Sequence, residues 1–253
     1  MRTIINRVIK PHLVSRMKVN VLKSSMLTKI FKVRYFSLND LDKQLEKYLQ
    51  FENGFFVELG ANDGVNQSNT LFFERFRGWK GVLIEPFEPN YMELIRNRSS
   101  TNFFKNAACV GPTWTNPTVE LVYSNLMTST LGVNSDVLDP VDHANQGAKF
   151  GGGNTFLFVA PAFTLNSILI EAGAPSLIDL LSLDVEGVEY EILKGVDHQR
   201  FRFRYICVES RQFDYLQQYL LSQEYVYIET LSSHDYLFKN DKTIEVALKT
   251  DFS

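Results

Sequence analysis

From about residue 40 onward, short near-continuous apolar runs alternate with segments whose apolar positions repeat every three or four residues. Apolar runs bounded by Gly, Pro and polar residues behave as buried strands, and the 3.6 period marks an amphipathic helix. The pattern predicts a short helix over residues 40–48, capped by Asp40, with Leu41, Leu45, Tyr48 and Leu49 on its apolar side. Strand Phe55–Leu59 follows, then a helix over 69–76 with Leu71, Phe72 and Phe76 inward, and a strand over 81–86. Next come a helix over 89–97, with Pro89 in its first turn, and a strand over 102–110. The rhythm then fails between residues 119 and 163, where short strand-like pieces surround a Gly-rich stretch at 147–153.

Helix Leu165–Glu171, strand 176–183, helix 188–194, strand 205–209, helix 213–221 and strand 225–229 restore the alternation. Short strands over 236–238 and 244–247 are expected to close the sheet with an antiparallel pair. Such alternation specifies an α/β domain around a mostly parallel sheet. An aperiodic insertion of this size inside a compact domain is functional, and it is expected to cover the substrate.

Composition changes this picture mainly at the N-terminus. Residues 1–39 carry nine Lys or Arg and no acid, which leaves 17 basic against 29 acidic residues for the rest of the chain. An acidic body argues against nucleic acid as a partner. The basic extension, residues 1–37, has Ile4, Ile5, Val8, Ile9 and Leu13 at helical spacing until Pro11 interrupts, which suits peripheral contact with an anionic membrane surface. The expected compartment is the cytoplasm, with the mitochondrial matrix as the alternative if residues 1–36, ending in Arg34-Tyr35-Phe36-Ser37, act as a transit peptide. The catalytic domain is expected over residues 38–253. Cys109 and Cys207 lie in apolar segments and are expected as buried strand thiols. No Cys/His spacing suggests a metal, and no apolar run approaches the ~20 residues needed to span a bilayer.

Candidate chemistry gathers at the strand tips, where open α/β sheets bind ligands. In FFVELGANDG, Glu58, Gly60, Asn62 and Gly64 fall at alternate positions as the first strand ends. The spacing E-x-G-x-x-x-G departs from the G-x-G-x-x-G of dinucleotide binders and points to S-adenosylmethionine. The glycines let backbone approach a ligand, and Asn62 and Asp63 offer side chains to a cationic amino-acid moiety. Glu85 ends the second strand, 25 residues beyond Gly60, and suits bidentate contact with ribose hydroxyls. In LSLDVEGVEYEILKG, Asp184 and Glu186 lie on the same side of an extended segment. Paired carboxylates there can act as a general base or hold a divalent cation. Asn106, Ala107, Glu209 and Arg211 complete the set of tips. His143, His198 and His234 show no partner in the sequence and are expected to be exposed.

Several of these segments together resemble the FkbM-type family of S-adenosylmethionine-dependent methyltransferases. FVELGANDGVNQSNTLFFE resembles its first motif, VLIEPFEPNY its second and NAACV its third, while DLLSLDVEGVEYEILKG is the most distinctive and TLNSIL and YICVE flank it. The resemblance runs from roughly residue 37 to 239. It implies the class I methyltransferase (Rossmann-like) fold, a seven-stranded, mostly parallel doubly wound sheet with helices on both faces. It also implies methyl transfer to a hydroxyl of a sugar, glycan or other polar metabolite. By the resemblance, Glu58, Gly60, Asn62, Asp63 and Gly64 would hold the methionine portion and Glu85 the ribose. Phe87, Asn106 and Ala107 would border the adenine, and Asp184 and Glu186 would face the methyl and its acceptor. A divalent metal is compatible with this chemistry but no residue is assigned to it. Asn166 stands where the family often carries Asp, and the insertion at about 113–163 matches no family motif. The rival readings are an NAD-dependent oxidoreductase or epimerase, and a non-catalytic cofactor-binding scaffold.

Overall fold

The computed structural model describes residues 34–151 and 154–241. The amphipathic pattern and transit peptide assigned to the first 33 residues, and the strand expected at 244–247, lie outside them.

In chain order the first strands are β1 (Phe55–Leu59), β2 (Lys80–Ile84), β3 (Phe103–Lys105), β4 (Ala108–Cys109), β5 (Thr118–Tyr123) and β6 (Ser129–Thr130). They are followed by β7 (Phe156–Phe163), β8 (Leu177–Leu183), β9 (Arg202–Glu209), β10 (Tyr225–Thr230) and β11 (Asp235–Asn240). The helices are α1 (Leu41–Leu45), α2 (Leu71–Arg77), α3 (Glu88–Asn97), α4 (Pro140–Gly151), α5 (Leu165–Glu171), α6 (Glu189–Lys194) and α7 (Phe213–Ser222). Seven strands form one sheet in the order β10-β11-β9-β8-β1-β2-β3. The sheet is mixed: β3, β2, β1, β8 and β9 run parallel, while β11 is antiparallel to both β9 and β10.

Alternation along the central strands divides the core in two, because successive side chains leave a strand on opposite faces. Val57, Leu59, Leu181, Leu183, Ile206 and Val208 pack with α5, α6 and α7. Their neighbours Phe56, Leu180, Tyr205 and Cys207 pack with α1, α2 and α3. Helices therefore cover both faces. On α2 it is Phe73, fully buried, that turns inward in place of the expected Phe76, which is 40% exposed. Helix α1 is not capped by Asp40, whose backbone is left-handed and whose side chain makes no capping bond. The buried Asp42 instead accepts Phe36 N–H and the Ser37 hydroxyl. This ties down residues 34–37: Phe36 joins the core and Tyr35 lies 5.2 Å from Phe72, so the packed body begins before residue 38.

The strand expected over 102–110 is broken. β3 pairs with β2 in the main sheet, and after Asn106 and Ala107 the chain leaves to form β4, paired with β7. The insertion is ordered into a second, four-stranded sheet, β4-β7-β5-β6, and the helix α4. That helix, unforeseen in the sequence, starts because Pro140 fits a first turn and the Asp139 carboxylate accepts the N–H groups of Val141 and Asp142.

Candidate functional site

The chain runs outward from β1 through β2 to β3, then returns to place β8 on the other side of β1. That reversal opens a crevice beyond the strand tips. Its volume is about 840 Å³, mouth included. The floor comes from the β1 and β8 tips. The insertion supplies the opposite wall with Leu121, Asn125, Leu126, Thr128 and Thr130.

Gly60 is needed where β1 meets β8: its φ is +76°, and a Cβ there would stand 2.0 Å from the Asp184 carbonyl oxygen. Only a bare backbone lets the two tips touch. The turn beyond it is held by side chains. Asp63 Oδ1 accepts the N–H groups of Val65 and Asn66, and Asn62 Nδ2 reaches Asn125 of the insertion at 3.4 Å. Gly64 serves packing rather than the crevice, since a Cβ would meet Leu94 Cδ1 at 2.6 Å and Arg98 Cγ at 2.7 Å. Glu58 also lies behind the turn. Its buried carboxylate accepts Ser68 Oγ, Asn69 N and Thr70 Oγ1, and pairs with Arg98 at 3.2 Å.

Glu85 does point at this bend. Its Oε2 accepts Asn62 N–H and its Oε1 accepts Phe87 N–H, both at 2.9 Å. Burial pushes its carboxyl up to about 7, against the opposing pull of the two backbone donors. Asn106 fixes this corner from behind, donating to the carbonyls of Glu85 and Pro86. Phe87 stacks away from it, its ring 4.2 Å from Tyr123 and 5.1 Å from Phe158 of the insertion.

At the other end stands the acidic corner. Carboxylate oxygens of Asp184, Glu186 and Glu209 lie within 4.8 Å of one another. Asp184 is exposed and lines the crevice. Surrounding protein, then Glu209 and Glu186, push its carboxyl well above the usual range. Glu209 is raised too, by burial and by Glu186, and it shares a hydrogen bond with Asp184. Arg211 supplies the opposing charge, with Nη2 2.8 Å from Glu186 and 3.3 Å from Glu209. The segment is a turn and not the expected extended strand: Glu186 has φ +58° and Gly187 φ +113°. Asp184 and Glu186 nevertheless face the same crevice.

Of the eleven residues singled out from the sequence, Gly60, Asn62, Glu85, Ala107, Asp184 and Glu186 line the crevice. Glu58, Asp63, Gly64, Phe87 and Asn106 stand behind it as supports. One group escaped the sequence reading and another was set aside by it. Glu189, buried and pushed up to about 8 by burial, accepts the N–H groups of Val185 and Gly187 and so shapes the acidic turn. Its signal was its place three residues after Glu186. His143, expected to be exposed, is carried by α4 to within 2.8 Å of Glu186 Oε2. His198 is buried as well, its Nε2 3.1 Å from the Leu193 carbonyl and its ring pushed down to about 4 by burial. His234 is exposed as expected. Asn166, at the start of α5, accepts Asp197 N–H at 3.2 Å and joins two loops there. Both cysteines are buried thiols.

Among the described residues no helix is long and apolar enough to cross a membrane. Comparison with curated proteins and with solved structures returns no match. The family model of the methyltransferase FkbM domain matches residues 58–238, a span that holds both strand-tip motifs and the whole insertion. The chain therefore belongs to the FkbM methyltransferase domain family.

Proposed function

We propose that the protein is an S-adenosylmethionine-dependent O-methyltransferase of the class I, Rossmann-like type, acting on a hydroxyl of a sugar, glycan or other polar metabolite. One observation carries this reading: the Glu85 carboxyl and the Gly60–Asn62 bend meet in a single crevice whose other end is the Asp184/Glu186 corner. The order of strands, with β8 beside β1 and the reversed β11 between β9 and β10, supports the class I assignment.

The donor set fits such a cofactor. The described residues lining the crevice include three carboxylates, Glu85, Asp184 and Glu186, and no Lys, Arg or His, which suits a ligand with a positive sulfonium. Thr130 Oγ1 is buried in the same lining without a hydrogen-bond partner. The cofactor supplies an already activated methyl carbon. The protein's share is alignment and removal of a proton. Glu85 would hold the ribose hydroxyls, and Gly60 and Asn62 the amino-acid portion, with Glu58, Asp63 and Gly64 keeping the turn in shape. Ala107, supported by Phe87 and Asn106, would border the adenine. Asp184 in its ionised form would take the acceptor's proton, with Glu209 as its hydrogen-bond partner. Glu186, held by His143 and Arg211, would orient the acceptor.

Calorimetric titration of S-adenosylhomocysteine into wild type and Glu85→Ala tests the assignment. Loss of affinity in the variant is expected, and equal affinity would remove the ribose role. A mass-spectrometric screen for the gain of one methyl on glycans and polar metabolites then tests the acceptor class.

A further inference from the structure

A second cavity of about 390 Å³, mouth included, opens on the other side of the Glu186–Gly187 turn. Neighbouring residues of one turn divide the two spaces: Glu186 lines the first crevice and Gly187 the second. Gly187 is tightly held, since a Cβ there would meet Ser135 Oγ at 2.5 Å. Three separate parts of the chain wall the cavity. Ser135 and Asp136 come from the insertion, Tyr190 and Glu191 from α6, and Gln212 and Tyr215 from the start of α7.

Glu191 is paired with Asn134 and Lys194, but other polar groups of these walls have no hydrogen-bond partner among the described residues. Asp136 Oδ1 is buried with no hydrogen-bond donor, facing only Arg211 Nη1 at 3.7 Å. Among the described residues the Gln212 amide and the Tyr215 hydroxyl make no protein hydrogen bond, and Tyr215 is 66% exposed. The described lining includes two carboxylates and no Lys, Arg or His.

We propose that this cavity is the subsite for the non-reacting part of the methyl acceptor, and that it takes an uncharged polyhydroxylated chain, a glycan. This rests on the methyltransferase reading above. Carboxylate and amide groups pair with neighbouring hydroxyls of a sugar ring, and phenol rings cover its apolar face. The nearby cations are already engaged, Arg211 with Asp136 and Glu186 and Lys194 with Glu191, so the lining offers no spare positive charge to an anionic ligand. In this reading the glycan skirts the Glu186–Gly187 turn, on which Ser135 and Asp136 are packed, and presents one hydroxyl to Asp184.

The test uses protein saturated with S-adenosylhomocysteine. Binding of neutral trisaccharides of glucose, galactose and mannose, and of trigalacturonate, is measured by saturation-transfer NMR and calorimetry. At least one neutral trisaccharide is expected to bind, and trigalacturonate is not. Gln212→Ala and Tyr215→Ala, both at exposed positions, should each weaken that binding about tenfold with cofactor-product affinity unchanged. The subsite is overturned if no neutral trisaccharide binds, if both variants bind like wild type, or if trigalacturonate binds more tightly. Failure of S-adenosylhomocysteine itself to bind would overturn the cofactor reading and the subsite together.

Discussion

Glu85→Gln is the most discriminating single change, because it removes the titration of a carboxyl at the junction of fold and chemistry while keeping its size. The Glu85 carboxyl is pushed up to about 7 by burial, with Asp63 adding a smaller upward push. A carboxylate accepts hydrogen bonds from both ribose hydroxyls, whereas the protonated form has lost acceptor capacity. The ionised fraction is roughly one-tenth at pH 6 and nine-tenths at pH 8, so affinity for S-adenosylhomocysteine should rise about tenfold, or ~1.4 kcal/mol, across that interval. Glutamine cannot titrate, and its one carbonyl oxygen can accept only one of the Asn62 and Phe87 amides, which Glu85 meets with different oxygens. The variant should bind ~10-fold more weakly at pH 8, with no slope from Glu85. Alanine would lose more, on the order of 3 kcal/mol, but would also leave both buried N–H groups without acceptors. S-adenosylhomocysteine is the right probe because it lacks the positive sulfur, so titration of Asp184 has less leverage on it. Calorimetry at pH 6, 7 and 8 decides the matter. A flat wild-type profile, or the same slope in Glu85→Gln, refutes the reasoning.

Glu189→Gln should flatten the dependence of stability on pH. The folded state holds the Glu189 proton up to about 8 while the unfolded chain releases it near 4.5, so wild type loses stability as pH rises through that window. His198, pushed down to about 4 by burial, contributes stability that is lost as pH falls below 6.5, so the comparison belongs between pH 6.5 and 8. There the variant should decline by about 2 kcal/mol less in urea unfolding, and an equal decline sinks the assignment. Arg98→Met should cost about 3–5 kcal/mol, because Glu58 and Glu74 would be left without their guanidinium; an equilibrium denaturation loss under 1 kcal/mol contradicts this. His143→Ala should speed amide exchange across residues 140–149 while leaving β1, β2 and β8 unchanged. Equal exchange would show that the Glu186 contact does not hold α4 in place.

Much of the architecture was legible because strand and helix periods are local properties. Phe55–Leu59 and Leu165–Glu171 have the bounds that their apolar spacing implies. The failures have physical causes. Residues 102–110 look like one strand, yet the chain changes sheets at Asn106 because its side chain is spent on the carbonyls of Glu85 and Pro86. Helix α4 was hidden by Gly147 and the Gly-rich stretch around it, and it is sustained by contacts with the rest of the insertion, such as Ser124 Oγ donating to the Ala144 carbonyl. Glu58 looked like a ligand contact because it ends a strand beside a Gly turn. Only the position of Arg98, 40 residues away, turns it into a buried structural acid.

By itself the sequence determined an α/β domain, the strand tips that carry its chemistry, and the acidic and glycine-bearing turns among them. Tertiary structure alone decided which of those groups face a common crevice and which stand behind it. It also brought His143 onto Glu186 across 43 residues and opened a second cavity behind the same turn. Periodicity records which side of its own element a residue occupies. Distances between side chains depend on how sheet, helices and insertion pack together, which no local pattern encodes.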